Sequence, residues 1–413
     1  MMQIIILIRP LNFMLKISKK AEAMPASAIR KLVPLADAAK KNGTKVYHLN
    51  IGQPDIDSPK CALDAIRKFD KKNASYTHSA GLIDLREGLV NKYYKKLGIN
   101  IDVSEIITTI AGSEGVELSL AITCNKGDEV IVLEPYYTNY STFAFMNGIK
   151  LVAIKTEIHD GFKVPPIEEF EKYITDKTKA ILICNPGNPT GTLYSKEEML
   201  ELGEVALKHN LFLISDEVYR EFCYTEEPHF SAMFIPNIEQ NLILVDSVSK
   251  RYNLCGVRVG CLISHNKDVM VAALKFAQAR LCPPVIGQLA AIGALDTPDE
   301  YFDAVKEEYI KRRDYMIDAL NKIPGVYTPL PKGAFYTIAD LPVDNTEKFA
   351  RWLLEEFSID NETTMITPAE SFYITEVLGK TQARIAYVLE VPELEKAINI
   401  LAEGLKVYPG KTN

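Results

Sequence analysis

The chain has 413 residues and a formal net charge of −7, from 47 Lys and Arg against 54 Asp and Glu. That length exceeds what one hydrophobic core organises, so two domains are expected, and a 47% hydrophobic share with 24% charged residues is that of a soluble globular chain. The acidic balance argues against nucleic acid as a partner, and no run approaches the roughly 20 apolar residues that a membrane-spanning helix needs.

Seven cysteines lie scattered, an odd number without a CxxC pair and several inside apolar runs. They read as reduced thiols of a cytoplasmic protein. The six histidines show no metal-ligand spacing, so no structural zinc is expected. Near the N-terminus a short apolar run is cut by Arg9 and Pro10, too early for a signal peptide. Residues 1–13 are read as an extension, with the start at Met14.

Apolar periodicity over 27–41 predicts a helix stopped by Asn42 and Gly43. A strand-like run over 46–51 then leads into Gly52, Gln53 and Pro54, where glycine lets the backbone approach a ligand or simply makes a turn. A helix over 61–70 is followed by a loop carrying Tyr76 and ending at Gly81, which opens a long helix over 82–97. The strand 106–110 runs into Ala111–Gly112–Ser113–Glu114–Gly115 and a further helix. Strand, small-residue turn and helix in succession aim free N–H groups at an anion, although the lysine of a nucleotide-triphosphate loop is missing.

Strand 129–133 delivers Tyr136 and Tyr137, aromatics that either pack or stack on a flat ring. Strand 180–184 ends in Asn185–Pro186–Gly187–Asn188–Pro189–Thr190–Gly191, a loop with a preset backbone. Ser195 and Glu198 have capping-box spacing for a helix over 196–209. Strand 211–215 delivers Asp216 and Tyr219, and strand 242–245 delivers Ser247, Ser249 and Lys250, with Arg258 on the next loop. Five strands that each end in a distinctive polar loop, with helices between, predict a parallel sheet with one ligand site along its carboxyl edge.

Beyond residue 298 the pattern changes to a long helix over 298–321, the stretch Pro331–Lys332–Gly333–Ala334–Phe335–Tyr336, and a strand over 384–388 headed by Arg384. Read alone, an arginine opening an apolar strand is a surface charge; the other reading is a carboxylate clamp. The expected fold is α/β: a large domain over 64–300 with a mostly parallel, helix-covered sheet, and a smaller α+β domain built from 14–63 and 301–413.

In combination and order, Asn188–Pro189–Thr190–Gly191, Ser215–Asp216–Glu217–Val218–Tyr219 and Ser247–Val248–Ser249–Lys250 with Arg258 resemble the fold-type-I pyridoxal-phosphate enzymes. The likeness is greatest to the class I/II aminotransferases of the aspartate aminotransferase superfamily and runs over nearly the whole chain from about Pro25. It implies pyridoxal 5′-phosphate as cofactor, held by Lys250 as a Schiff base; the freed lysine then moves the substrate's α-proton. Asp216 is implied as partner of the pyridine nitrogen, Tyr219 and Asn188 of the phenolic oxygen, and Tyr137 as the stacking aromatic. Gly112, Ser113 and Glu114 through backbone N–H, with Ser247 and Arg258, match the phosphate cradle. Tyr76 matches a tyrosine given to the phosphate by a neighbouring subunit, which implies a homodimer. Arg384 matches the grip on the substrate α-carboxylate, with Gly52 closing beside it.

The implied reaction moves an amino group between an amino acid and a 2-oxo acid. Arg280 is either a cation for a distal substrate carboxylate or an interface salt bridge, and Thr77 and His78 are further candidates to face the substrate. The same scaffold supports a C–S β-lyase. A cofactor-sensing regulator is the rival of another class, but it needs a DNA-binding module, and little sequence precedes Pro25. A purely structural homologue is disfavoured by the joint presence of Lys250, Asp216, Arg258 and Arg384.

Overall fold

The computed structural model describes residues 15–25, 27, 29–70 and 72–412, so the expected extension over 1–13 and the start at Met14 lie outside the described residues. The strands in chain order are β1 (Lys45–His48), β2 (Ile106–Thr109), β3 (Glu129–Glu134), β4 (Lys150–Lys155), β5 (Thr178–Cys184), β6 (Phe212–Asp216), β7 (Leu242–Ser247), β8 (Gly260–Ile263), β9 (Tyr336–Asp340), β10 (Glu362–Met365), β11 (Thr367–Pro368) and β12 (Gln382–Ala386).

Seven of these form one sheet in the order β2-β8-β7-β6-β5-β3-β4. The pairs from β7 through β6, β5 and β3 to β4 are parallel, whereas β8 is antiparallel to both β2 and β7. Sequence pattern alone marks no strand around residue 260. The one-turn helix Val248–Arg251 and the turn Cys255–Val257 bring the chain back at the same end of the sheet. A strand that starts where its neighbour stops returns antiparallel.

Every residue of β3 and β7 is buried, as expected of strands covered on both faces. On one face Met199, Leu202, Val205 and Ala206 of the helix Lys196–Lys208 pack against Ile131, Ile181, Ile183 and Leu213. Ser195 and Glu198 cap that helix reciprocally, as their spacing predicts. The helix Ala111–Thr123 lies against the other face. There a carbon added to Gly115 would stand 2.7 Å from Val245, so only glycine permits this approach.

The helix expected over 82–97 is α-helical only at Ile83–Gly88; it widens to a π-turn at Leu89–Tyr94 and tightens at Lys95–Leu97. Elsewhere β11, β12 and β9 form a three-stranded antiparallel sheet, and β1 pairs in parallel with β10. Arg384 therefore departs from its local reading as a surface charge. It lies mid-way along β12, the central strand of its sheet, and is 1% exposed.

At the carboxyl ends of β6 and β7 a buried ionic network joins the strands. Both Asp246 oxygens lie 2.6 Å from Arg251 Nη2, and the Tyr94 hydroxyl donates to Asp246 at 2.7 Å. Arg251 Nε donates to Glu221 at 2.9 Å, while Arg220 donates to Glu217 at 2.6 Å. Glu217 in turn accepts from Ser231 at 3.1 Å and from Ala232 N at 2.8 Å. Burial alone would push the Asp246 carboxyl up; Arg251 and Arg220 override it and hold the group below the usual carboxylate range. Replacing Arg251 by alanine strands this charge, so Arg251→Ala is expected to lower unfolding free energy by about 3–5 kcal/mol in urea titrations. A loss under about 1 kcal/mol would show that water replaces the guanidinium freely.

Candidate active site

Lys250 sits in the one-turn helix directly after β7, capped by Ser247, whose Oγ accepts from Ser249 N at 3.1 Å. Its amine donates to the Gly52 carbonyl at 2.7 Å and lies 3.7 Å from Cys255 Sγ. Burial lowers its pKa, which favours a neutral, nucleophilic amine.

Asp216 ends the neighbouring β6 and is 5% exposed. The Tyr140 hydroxyl donates to its Oδ2 at 2.8 Å, and Val218 N lies 3.4 Å from Oδ1. Among the described residues no lysine, arginine or histidine pairs with it. Burial accordingly raises its pKa to about 6, the two hydrogen bonds offsetting only part of the effect.

A chain of contacts links the remaining candidates. Asn188 Nδ2 lies 3.5 Å from the Tyr219 hydroxyl, and Asn188 Oδ1 accepts from Arg384 Nη1 at 3.1 Å. Arg384 Nη2 donates to the Asn50 carbonyl at 2.6 Å, two residues before Gly52. The Arg384 Nε and the Asn50 Nδ2 are both buried with no hydrogen-bond partner among the described residues. The Tyr219 hydroxyl stands 3.0 Å from that of Tyr336, whose ring lies 4.6 Å beneath the Arg384 guanidinium. A side chain on Gly52 would overlap this Tyr336 hydroxyl, which explains the glycine.

The start of the helix Ala111–Thr123 has no side-chain cap, and this leaves N–H groups for an anion. Ala111 adopts φ +59° and Arg258 φ +56°, left-handed values that strain a non-glycine backbone. Between them, a carbon on Gly260 would stand 2.6 Å from the Ala111 carbonyl carbon. Ser247 borders Gly112, Ser113 is half-buried in the first turn, and exposed Arg258 donates to the Cys255 carbonyl at 3.0 Å. Tyr137 meets Tyr140 edge-on at 5.5 Å and accepts from Asn139 at 2.9 Å. Tyr76 is 81% exposed, apart from this cluster in its own chain.

The Glu114 side chain is engaged: it accepts from Ile110 N at 2.6 Å and lies 2.9 Å from Arg280 Nε. Arg280 Nη2 also donates to the Thr108 carbonyl at 3.1 Å. The ion pair is close without hydrogen-bond alignment, since Arg280 Nε and Nη1 find no aligned acceptor. Arg280 thus braces β2 against the helix start within its own chain. Sequence reasoning missed Tyr140, Asn50 and Tyr336; each acts through a partner far away in sequence, and no local pattern announces it.

The family described as aminotransferase class I and II matches residues 44–401, and the chain belongs to it. Among its relatives is an aspartate aminotransferase of Bacillus subtilis, 29% identical over 394 residues, covering 93% of this chain and 97% of the relative. An aspartate aminotransferase from Thermus thermophilus, solved with maleate, superposes with a TM-score of 0.86 at 28% identity, covering 95% of this chain and all (100%) of that one. An alanine aminotransferase from Pyrococcus furiosus gives 0.85 at 31% identity with the same two coverages, 95% and 100%. The chain is accordingly an aminotransferase of fold type I.

In the cofactor-free protein the Asp216 carboxyl holds its proton more tightly folded, at about 6, than unfolded, near 3.8. The stability this contributes is complete below pH 4 and is lost as pH rises through 6, on the order of 2–3 kcal/mol in all. Urea titrations between pH 4.5 and 7 are expected to show this fall for the wild type relative to Asp216→Asn. Parallel pH profiles for the two proteins would mean that Asp216 is ionised at no cost.

Proposed function

We propose that the chain is a pyridoxal 5′-phosphate-dependent aminotransferase that moves an amino group from an L-amino acid to a 2-oxo acid in two half-reactions, with 2-oxoglutarate as acceptor. Aspartate, alanine or an aromatic amino acid is the donor, and each of the three is supported by the name of a similar protein. The observation that carries the reading is Asp216, a buried carboxylate with no paired cation among the described residues, on the strand beside the one that leads to Lys250. A protonated ring nitrogen is the complement such a carboxylate lacks.

The other groups fit the same cofactor. When bound, it supplies an electron sink for the carbon that loses its proton. Lys250, whose pKa burial lowers, would hold it and, once displaced by the substrate's amine, would take and return the proton at the α-carbon. Tyr219 and Asn188 donate to its phenolic oxygen, and Tyr137 packs on the ring. The uncapped turn at Gly112, Ser113 and Glu114, with Ser247 and Arg258, holds its phosphate. Exposed Tyr76 completes the phosphate site of a second copy, making the enzyme a homodimer.

Arg384 offers its Nε, which has no partner among the described residues, with Nη1, to the α-carboxylate, while its Nη2 is held by the Asn50 carbonyl. The segments 14–63 and 301–413 act as one unit that closes over the unit 64–300 and excludes water. A cytoplasmic location, expected from the scattered cysteines, goes with this reading.

Mixing purified protein with single amino acids, without oxo acid, while recording visible spectra is expected to convert the bound cofactor with one group of donors. Release of pyruvate and ammonia with the starting spectrum restored would favour the β-lyase. Lys250→Ala is expected to abolish the pH-sensitive visible band; its persistence would remove Lys250 from the role. Arg384→Ala is expected to raise KM on the order of 100-fold for every amino acid, as loss of a bidentate charged pair does. A rise for one donor only would make Arg384 a side-chain selector.

A further inference from the structure

Tyr336 opens β9, is 2% exposed and lies against Tyr219, Arg384 and Gly52. Its hydroxyl lies 3.0 Å from that of Tyr219, with the two rings nearly perpendicular at 84°. Its ring carries the Arg384 guanidinium at 4.6 Å, and its edge fills the space left by the missing side chain of Gly52. Gly52 in turn accepts from the Lys250 amine at 2.7 Å. One side chain therefore abuts the phenolic-oxygen partner, the carboxylate clamp and the loop that holds the catalytic amine.

We propose that Tyr336 is a positioning residue that donates to the Tyr219 hydroxyl and, through its ring, fixes Arg384, so that the acidity at Tyr219 and the seat of the α-carboxylate are set by one side chain. The inference rests on the aminotransferase site proposed above.

Its direction follows from hydrogen-bond counting. A phenol has one proton to give. When Tyr219 directs its proton outward to the phenolic oxygen of the cofactor, its own oxygen becomes an acceptor. The two donors placed to fill it are the Tyr336 hydroxyl at 3.0 Å and the Asn188 amide at the longer 3.5 Å. A donor that itself accepts a hydrogen bond donates more strongly. Tyr336 thereby favours the ionised phenolic oxygen. The charged and titratable groups facing the hydroxyl pair are Arg384 on β12, Tyr137 after β3, Cys184 at the end of β5 and Cys255 after the lysine helix. Of these only Arg384 is a cation, and it too favours ionisation. The ring acts separately, because a guanidinium resting on an aromatic face keeps its orientation with its edge free for a carboxylate.

Two variants separate the hydroxyl's role from the ring's. Tyr336→Phe keeps the ring and loses the proton donor. The visible band of the resting, cofactor-loaded variant is expected to titrate with a midpoint roughly half to one pH unit higher than that of the wild type, since one net hydrogen bond is lost. Its KM for amino acids is expected to stay within about twofold, because the clamp keeps its support. Tyr336→Leu loses the ring as well, and KM is expected to rise about tenfold or more. Thermal unfolding of both variants checks that they fold. A wild-type midpoint in Tyr336→Phe would overturn the proposal, leaving Tyr336 as packing. So would a KM that rises equally in both variants. A wild-type protein with no visible band after cofactor is supplied would instead overturn the aminotransferase site itself, and this proposal with it.

Discussion

The geometry of the site depends on the ionic network that knots β6 to β7 below it. Parallel strands are joined by backbone hydrogen bonds that fix their spacing but not the direction in which the chain leaves the sheet. Here the residues just past each strand decide that direction. Asp246 and Arg251 bracket Lys250, and Glu217 and Arg220 bracket Tyr219. Each pair pins a turn of chain that presents a reactive side chain. The pairs share neighbours in Tyr93, Tyr94 and Glu221, so the two turns are fixed relative to each other. Breaking a buried ion pair strands a charge in the interior, so these pairs hold the turns after β6 and β7 firmly in place.

Above this base the site is divided by sign and polarity. The helix start at Ala111 has uncapped N–H groups, and two backbones, Ala111 and Arg258, are in left-handed conformations. Asp216 is a buried carboxylate with no cation paired to it among the described residues, and the Arg384 guanidinium lies 4.6 and 5.2 Å from the Tyr336 and Phe372 rings. Each of these groups is costly to bury without its complement. Together they are the groups whose complements the proposed cofactor and substrate would supply.

Much of this was legible in the sequence because the groups sit on local signals. Lys250, Asp216, Asn188 and Gly112 each follow an apolar run at a strand end, and turn chemistry marks such positions. The order of those turns carried the family resemblance. Arg384 could not be judged in the same way. Its burial follows from β9 and β11 flanking β12, strands that pair with it across the fold. Tyr140 and Tyr336 were silent for a related reason: an aromatic residue in an apolar stretch looks like core until its hydroxyl's partner is known. Strand β8 escaped notice because Gly260, Cys261, Leu262 and Ile263 are too few to establish a period. The π-turn over Leu89–Tyr94 has no sequence signature that periodicity could register.

The position of β9 and β12 late in the chain has a consequence for synthesis. Every group that would meet the phosphate and the ring, from Gly112 to Arg258, leaves the ribosome before Tyr336 or Arg384 has been made. The strands of the central sheet, β2 to β8, all lie before residue 264, so its pairings are made by residues that precede β9. Synthesis therefore delivers every strand of the large sheet before either member of the Tyr336–Arg384 contact exists.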